Sequence, residues 1–138
     1  MIETFVCNTE QDMENLGREI ASRCKAGTVI SLRGSLGAGK TVFARGVARF
    51  LGVKEAIVSP TFTLIQEYEG SMPMYHMDLY RINSEEDFFM IGGEDMLFSN
   101  GLCLIEWSEI INSLLPSGTV FINIKVEPDQ RRIVEVKI

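Results

Sequence analysis

The sequence predicts an α/β domain of three layers, built on a mixed sheet with parallel strands near a glycine-rich turn and antiparallel additions. Three observations predict it. Short apolar runs of strand type alternate with stretches of helical period along 138 residues, of which 46% are hydrophobic, enough for one core. A glycine-rich turn, "GSLGAGKT" at 34–41, stands between a buried-strand run and a helical pattern. The last segment, 120–138, alternates as a hairpin around Pro128-Asp129-Gln130-Arg131-Arg132. No repeat, low-complexity tract or linker divides the chain, so residues 1–138 read as a single domain.

Each element has its own signal. Residues 2–7 read as a strand. Thr9 is placed to cap a helix, with Asp12 three residues on in a capping-box arrangement, and Met13, Leu16, Ile20 and Cys24 share one face. Residues 28–32 are β-branched and apolar, led by Gly27, and predict a buried strand. After the turn, Phe43, Val47, Phe50 and Leu51 fall on one helical face, and Gly52 stands where a helix stops. Residues 61–68 alternate and, through a turn at 70–73, pair with 74–78. Ser84 is placed to cap a short helix carrying Phe88, Phe89 and Ile91; Gly92-Gly93 breaks it, and a second short helix covers 94–98. Residues 102–105 form another buried strand, and 110–115 a helix ended by Pro116-Ser117-Gly118.

Bulk composition excludes several classes. No run reaches the roughly 18–20 apolar residues of a membrane helix, and the start lacks a basic region followed by an apolar stretch, so neither a membrane span nor a secretory signal is expected. The net charge of −6 argues against a broad nucleic-acid surface. Cys7, Cys24 and Cys103 are odd in number, far apart and flanked by apolar residues, the pattern of reduced thiols in a cytoplasmic protein. With His76 the one histidine, a Cys/His zinc site is not expected.

The glycine-rich turn carries the chemistry. Gly34, four residues, then Gly39-Lys40-Thr41 is the form of a phosphate-wrapping loop, and its strand-before, helix-after context makes the domain P-loop NTPase-like. Glycines let the backbone aim several N–H groups at one anion, and the following helix adds its positive end. Lys40 is placed to reach the β- and γ-phosphates and Thr41 to ligate Mg2+. Phosphoryl chemistry also needs a carboxylate near the metal and a group that positions the attacking atom. Glu106 ends the apolar run 102–105 and is either that carboxylate or a solvated strand end. Asp78 ends a second strand and is the other candidate, or simply exposed. Thr61 and Thr63, after Ser59-Pro60, either sense the γ-phosphate as switch residues do or belong to an ordinary edge strand. His76, between Tyr75 and Met77, reads as structural and hydrogen-bonded. Trp107, the only tryptophan, is either core or, if Ser108 caps the next helix and the strand ends there, at the rim of the site.

Four blocks together, "GSLGAGKT", "SPTFTLIQEY", "YHMDLYR" and "LCLIEWSE", resemble the TsaE (formerly YjeE) family in order and spacing over nearly the whole chain. Departures are small: Ser35 where an acidic residue is common, Val42 for a second Thr, Met77 for Phe. The resemblance implies an ATPase required for bacterial N6-threonylcarbamoyladenosine (t6A37) in tRNAs that read ANN codons. It implies action with a TsaB–TsaD complex in which TsaD transfers the threonylcarbamoyl group and ATP hydrolysis supports turnover. It further implies that Leu36, Gly37, Ala38, Gly39, Lys40 and Thr41 contact nucleotide, that Thr41 and Glu106 hold Mg2+, that Asp78 is an active-site residue with Lys40 and Glu106, and that Glu10 contacts nucleotide. The acidic charge adds that tRNA is held mainly by the partners.

Two rival readings stand beside this one. A small-molecule kinase would need an acceptor pocket and an arginine-bearing lid, for which the span between Gly52 and Glu106 leaves little room. A nucleotide-dependent binding module with incidental hydrolysis would show slow ATPase activity accelerated by a partner. A GTPase is disfavoured, since the chain has no Asn-Lys-x-Asp motif.

Overall fold

The computed structural model describes residues 1–35, 37–60 and 63–138. Strand β1 (Ile2–Cys7) leads into helix α1 (Glu10–Ser22), which Thr9 and Asp12 close as expected: Thr9 Oγ1 accepts from Asp12 N at 3.0 Å, and Asp12 Oδ2 accepts from Thr9 N at 3.2 Å. Strand β2 (Val29–Gly34) enters the glycine-rich turn, and α2 (Lys40–Leu51) leaves it, ending at a left-handed Gly52. A hairpin follows, β3 (Ile65–Tyr68) with β4 (Met74–Asp78). Short helices α3 (Glu85–Met90), capped by Ser84, and α4 (Gly93–Leu97) lead to β5 (Leu102–Glu106). A 3₁₀ segment, Ser108–Leu114, and the hairpin β6 (Val120–Val126) and β7 (Arg132–Lys137) complete the order.

Among the described residues the sheet has seven strands in the order β1-β7-β6-β2-β5-β4-β3. β6, β2, β5 and β4 run parallel at its centre, and β1, β7 and β3 add antiparallel edges. Period-two alternation sends Ile30, Leu32, Leu102, Leu104, Ile122 and Val134 to one face, where α1 and α2 pack. Val29, Met77, Cys103 and Ile105 go to the other face, covered by Phe88, Leu97 and Ile111 from α3, α4 and the 3₁₀ segment. This is the three-layer α/β architecture the sequence predicts.

The two long helices touch backbone to backbone. A Cβ on Gly17 would meet Phe43 O, and one on Gly46 would meet Glu14 O, each too close to be accommodated without moving a helix. That contact fixes α2, and so the turn at its start, against α1.

Three local expectations are corrected. Phe50 is 45% exposed, while Ala44 and Ala48 are buried. At 100° per residue the covered arc runs from Phe43 through Val47 and Leu51 to the alanines, leaving Phe50 on its far margin. Of the strand expected over 61–68, residues 61 and 62 lie outside the described residues and the strand is formed from Ile65: Thr63 is in a turn, and Leu64 takes a left-handed φ of 67° with its N–H bonding Pro60 O at 2.8 Å. Ser108 is not an N-cap: Trp107 occupies that position with φ 57° and ψ 45°, and the Ser108 hydroxyl is buried against Ser31 Oγ at 2.6 Å.

Candidate functional site

The site lies at the C-terminal ends of three adjacent parallel strands, β2, β5 and β4, where ligands of open α/β sheets bind. Sheet register does the assembly. Glu106 pairs with Leu32, two residues before the turn, and Asp78 pairs with Glu106. Two carboxylates separated widely in sequence thus stand side by side at the mouth of the turn. Both are 4% exposed, which removes the reading of either as a solvated strand end.

In the turn, Gly37 (φ 78°) and Gly39 (φ 106°) adopt conformations that side chains other than glycine rarely take. Gly39 occupies the N-cap of α2 with no side-chain acceptor among the described residues, so the first N–H groups of α2 lack a side-chain cap. Leu36 lies outside the described residues, as does Thr61; Thr63 is exposed in the turn before β3.

Lys40 is 6% exposed and turned back onto its own loop. Its Nζ donates to Gly34 O at 2.9 Å, lies 3.9 Å from Glu106 Oε1 and sits 4.1 Å from the centre of the Trp107 ring. Burial pushes the ammonium pKa below its ordinary value, and Glu106, Asp78 and Glu109 oppose that shift. Trp107, half-buried, also stacks obliquely on Tyr80 at 5.0 Å. Its left-handed backbone, rather than a cap at Ser108, is what lets it follow Glu106 and still reach the site: a regular strand would have turned it to the opposite face.

Gly37, Gly39, Lys40, Thr41, Asp78 and Glu106 line one cavity of about 300 Å³, with Trp107 at its wall. Asp78 Oδ1 accepts from Tyr80 N at 3.0 Å, which orients the carboxylate. Glu106 Oε2 lies 2.6 Å from His76 Nε2. A second cavity, of about 330 Å³, opens on the other side of the turn. Glu10, Met13, Val42, Gln130 and Arg132 line it, and it shares Gly37 and Gly39 with the first. The structure therefore brings Lys40, Thr41, Asp78 and Glu106 together and sets Glu10 in the neighbouring cavity, across the loop.

The donor set around Lys40 is of hard oxygen type: a hydroxyl on Thr41 and carboxylates on Glu106 and Asp78. No cluster of three or more His, Cys, Asp or Glu able to cage an ion occurs among the described residues. The oxygen donors are of the kind that fits Mg2+, which is commonly held by one or two carboxylates together with phosphate oxygens and water.

Two contacts of the site could not be read from the sequence. Arg132 reaches the loop from β7, its Nη2 bonding Gly37 O at 3.3 Å and its Nε Ala38 O at 3.4 Å. His76 is buried and hydrogen-bonded, as the sequence predicts, but that its partner is Glu106 depends on β4–β5 pairing that no local pattern reveals. Among the described residues no helix is long and apolar enough to cross a membrane.

A mixed, centrally parallel sheet with this loop between β2 and α2 defines a P-loop NTPase-like domain. The solved structure titled "Crystal structure of Bacillus subtilus YdiB" superposes with a TM-score of 0.85 over 99% of this chain and 84% of that one, at 32% identity. The sequence model of the family described as "Threonylcarbamoyl adenosine biosynthesis protein TsaE" matches residues 7–134. The chain belongs to the TsaE family. The relative in Treponema pallidum, a tRNA threonylcarbamoyladenosine biosynthesis protein TsaE, is 44% identical over 95% of this chain and 97% of its own length. The Bacillus subtilis protein of the same name is 39% identical over 88% of this chain and 77% of its own.

Proposed function

We propose that this chain binds ATP with Mg2+ and hydrolyses it in support of t6A37 modification of tRNAs reading ANN codons, acting with a TsaB–TsaD complex in the cytoplasm. The observation that carries the proposal is the convergence of Lys40, Thr41, Asp78 and Glu106 on one cavity beside the glycine turn.

The chemistry follows from the residues. The loop N–H groups and the start of α2 receive phosphate oxygens. Lys40 exchanges Gly34 O for the β- and γ-phosphates, where its charge offsets what builds up on the transferred group. Thr41 and Glu106 are the side chains that would hold Mg2+. Bound there, the ion would supply positive charge against that of the phosphates. Asp78, oriented by the Tyr80 N–H, is positioned to align a water. Glu10 and its cavity on the other side of the loop take the nucleoside.

No arginine reaches the wall of the Lys40 cavity among its described lining residues, which favours slow hydrolysis by the isolated chain and acceleration in the complex. With a net charge of −6 the chain leaves most tRNA contact to its partners. The test is reconstituted tRNA modification with TsaB and TsaD, with and without this chain. Multiple turnovers that depend on the chain and on ATP are expected; equal turnover without it removes the role.

A further inference from the structure

We propose that His76 is the positioning residue of Glu106, holding that carboxylate in the orientation a bound metal requires; the assignment rests on the nucleotide reading above. His76 is fully buried, and its Nε2 lies 2.6 Å from Glu106 Oε2 across the neighbouring strands β4 and β5. An ionised carboxylate only accepts hydrogen bonds, so Nε2 carries the proton. Nδ1 has no hydrogen-bond partner among the described residues, which fits a bare nitrogen on that side of the ring. An imidazole placed for packing alone would be a poor choice here, because an aliphatic side chain fills the same space without a desolvated polar atom. The Nε2 bond is what the histidine contributes.

That bond separates the tasks of the two Glu106 oxygens. Oε2 is held by His76. Oε1 faces Lys40 Nζ at 3.9 Å, beyond hydrogen-bond length, and borders the cavity shared with Thr41 and Asp78. Without the tether the carboxylate can rotate and close on Lys40. Such an ion pair would occupy both the oxygen meant for the metal and the ammonium meant for phosphate. Partners that orient a metal ligand in this way are worth roughly tenfold to a hundredfold in metal affinity or activity.

The test uses the full chain. Because His76 is the only histidine, a long-range ¹H–¹⁵N spectrum of the labelled protein reads its tautomer without ambiguity. The Nε2–H form is expected, and an Nδ1–H form overturns the proposal. ADP binding is then measured by calorimetry at stepped Mg2+ concentrations. His76→Met should raise the Mg2+ midpoint about tenfold or more, while His76→Gln, whose amide N–H can replace the Nε2 donor, should return to within about threefold of wild type. A folded His76→Gln as impaired as His76→Met shows that shape and not the donor matters, and overturns the proposal. The tautomer and His76→Gln decide the matter if His76→Met does not fold. A wild-type chain without Mg2+-dependent ADP binding overturns the nucleotide reading and this assignment together. A normal wild-type response with an unshifted His76→Met midpoint overturns the histidine assignment alone.

Discussion

Lys40 Nζ sits 4.1 Å from the centre of the Trp107 ring, on the side of the indole that faces the loop. The contact joins the residue that answers to phosphate with the only fluorophore of its kind in the chain. A cation over an indole face is held by the ring quadrupole, so removing it changes the electric environment of the ring. Nucleotide that draws Lys40 toward phosphate should therefore change Trp107 emission. Titration with Mg-ATP, with binding measured separately by calorimetry, checks this; a flat trace at saturation would leave Trp107 a packing residue.

Lys40→Ala should weaken ATP binding by about 1.5–3 kcal/mol, the size of a lost charge-assisted hydrogen bond, or roughly tenfold to a hundredfold in Kd. The fold should survive, because a buried ammonium and not an apolar contact is removed. Calorimetry on the variant is the measurement, and wild-type affinity would refute the phosphate role.

Glu106→Ala and Asp78→Ala should each depress ATP hydrolysis in the presence of the partner complex by at least about tenfold, the lower range for a lost metal-orienting or water-orienting group. Circular dichroism should show both variants folded. Normal hydrolysis by both would disprove the active-site arrangement.

Gly46→Ala should lower stability by about 1–3 kcal/mol, because the added methyl meets Glu14 O across the α1–α2 contact. For a chain of this length that is a drop in Tm of roughly 3–15 °C. An unchanged melting curve would mean that the helices separate freely at this point.

Much of this was legible locally. The caps at Thr9, Ser84 and Gly52 depend on residues within a turn of the helix end, and the sequence displays them. Glu106 and Asp78 could be nominated because each ends an apolar run, but only β4–β5 pairing makes them neighbours. The unread parts are those in which distant segments decide. Ser108 looked like a cap and is instead the buried partner of Ser31. Leu64 and Trp107 adopt left-handed backbones that their residue types do not announce, and each ends an expected regularity: the strand before β3 in one case, the strand-end alternation after β5 in the other. Arg132 reaches its loop carbonyls from a hairpin whose own alternation gives no hint of the contact.

The reach of Arg132 has a thermodynamic consequence. Its guanidinium joins Gly37 O and Ala38 O to the start of β7, on the strand that pairs with both β1 and β6. These contacts link the loop to the terminal hairpin, so a ligand that holds the loop should also slow opening of the hairpin. Amide hydrogen exchange in β6, which lines neither the Lys40 cavity nor the one beside Glu10, should slow when nucleotide occupies the loop.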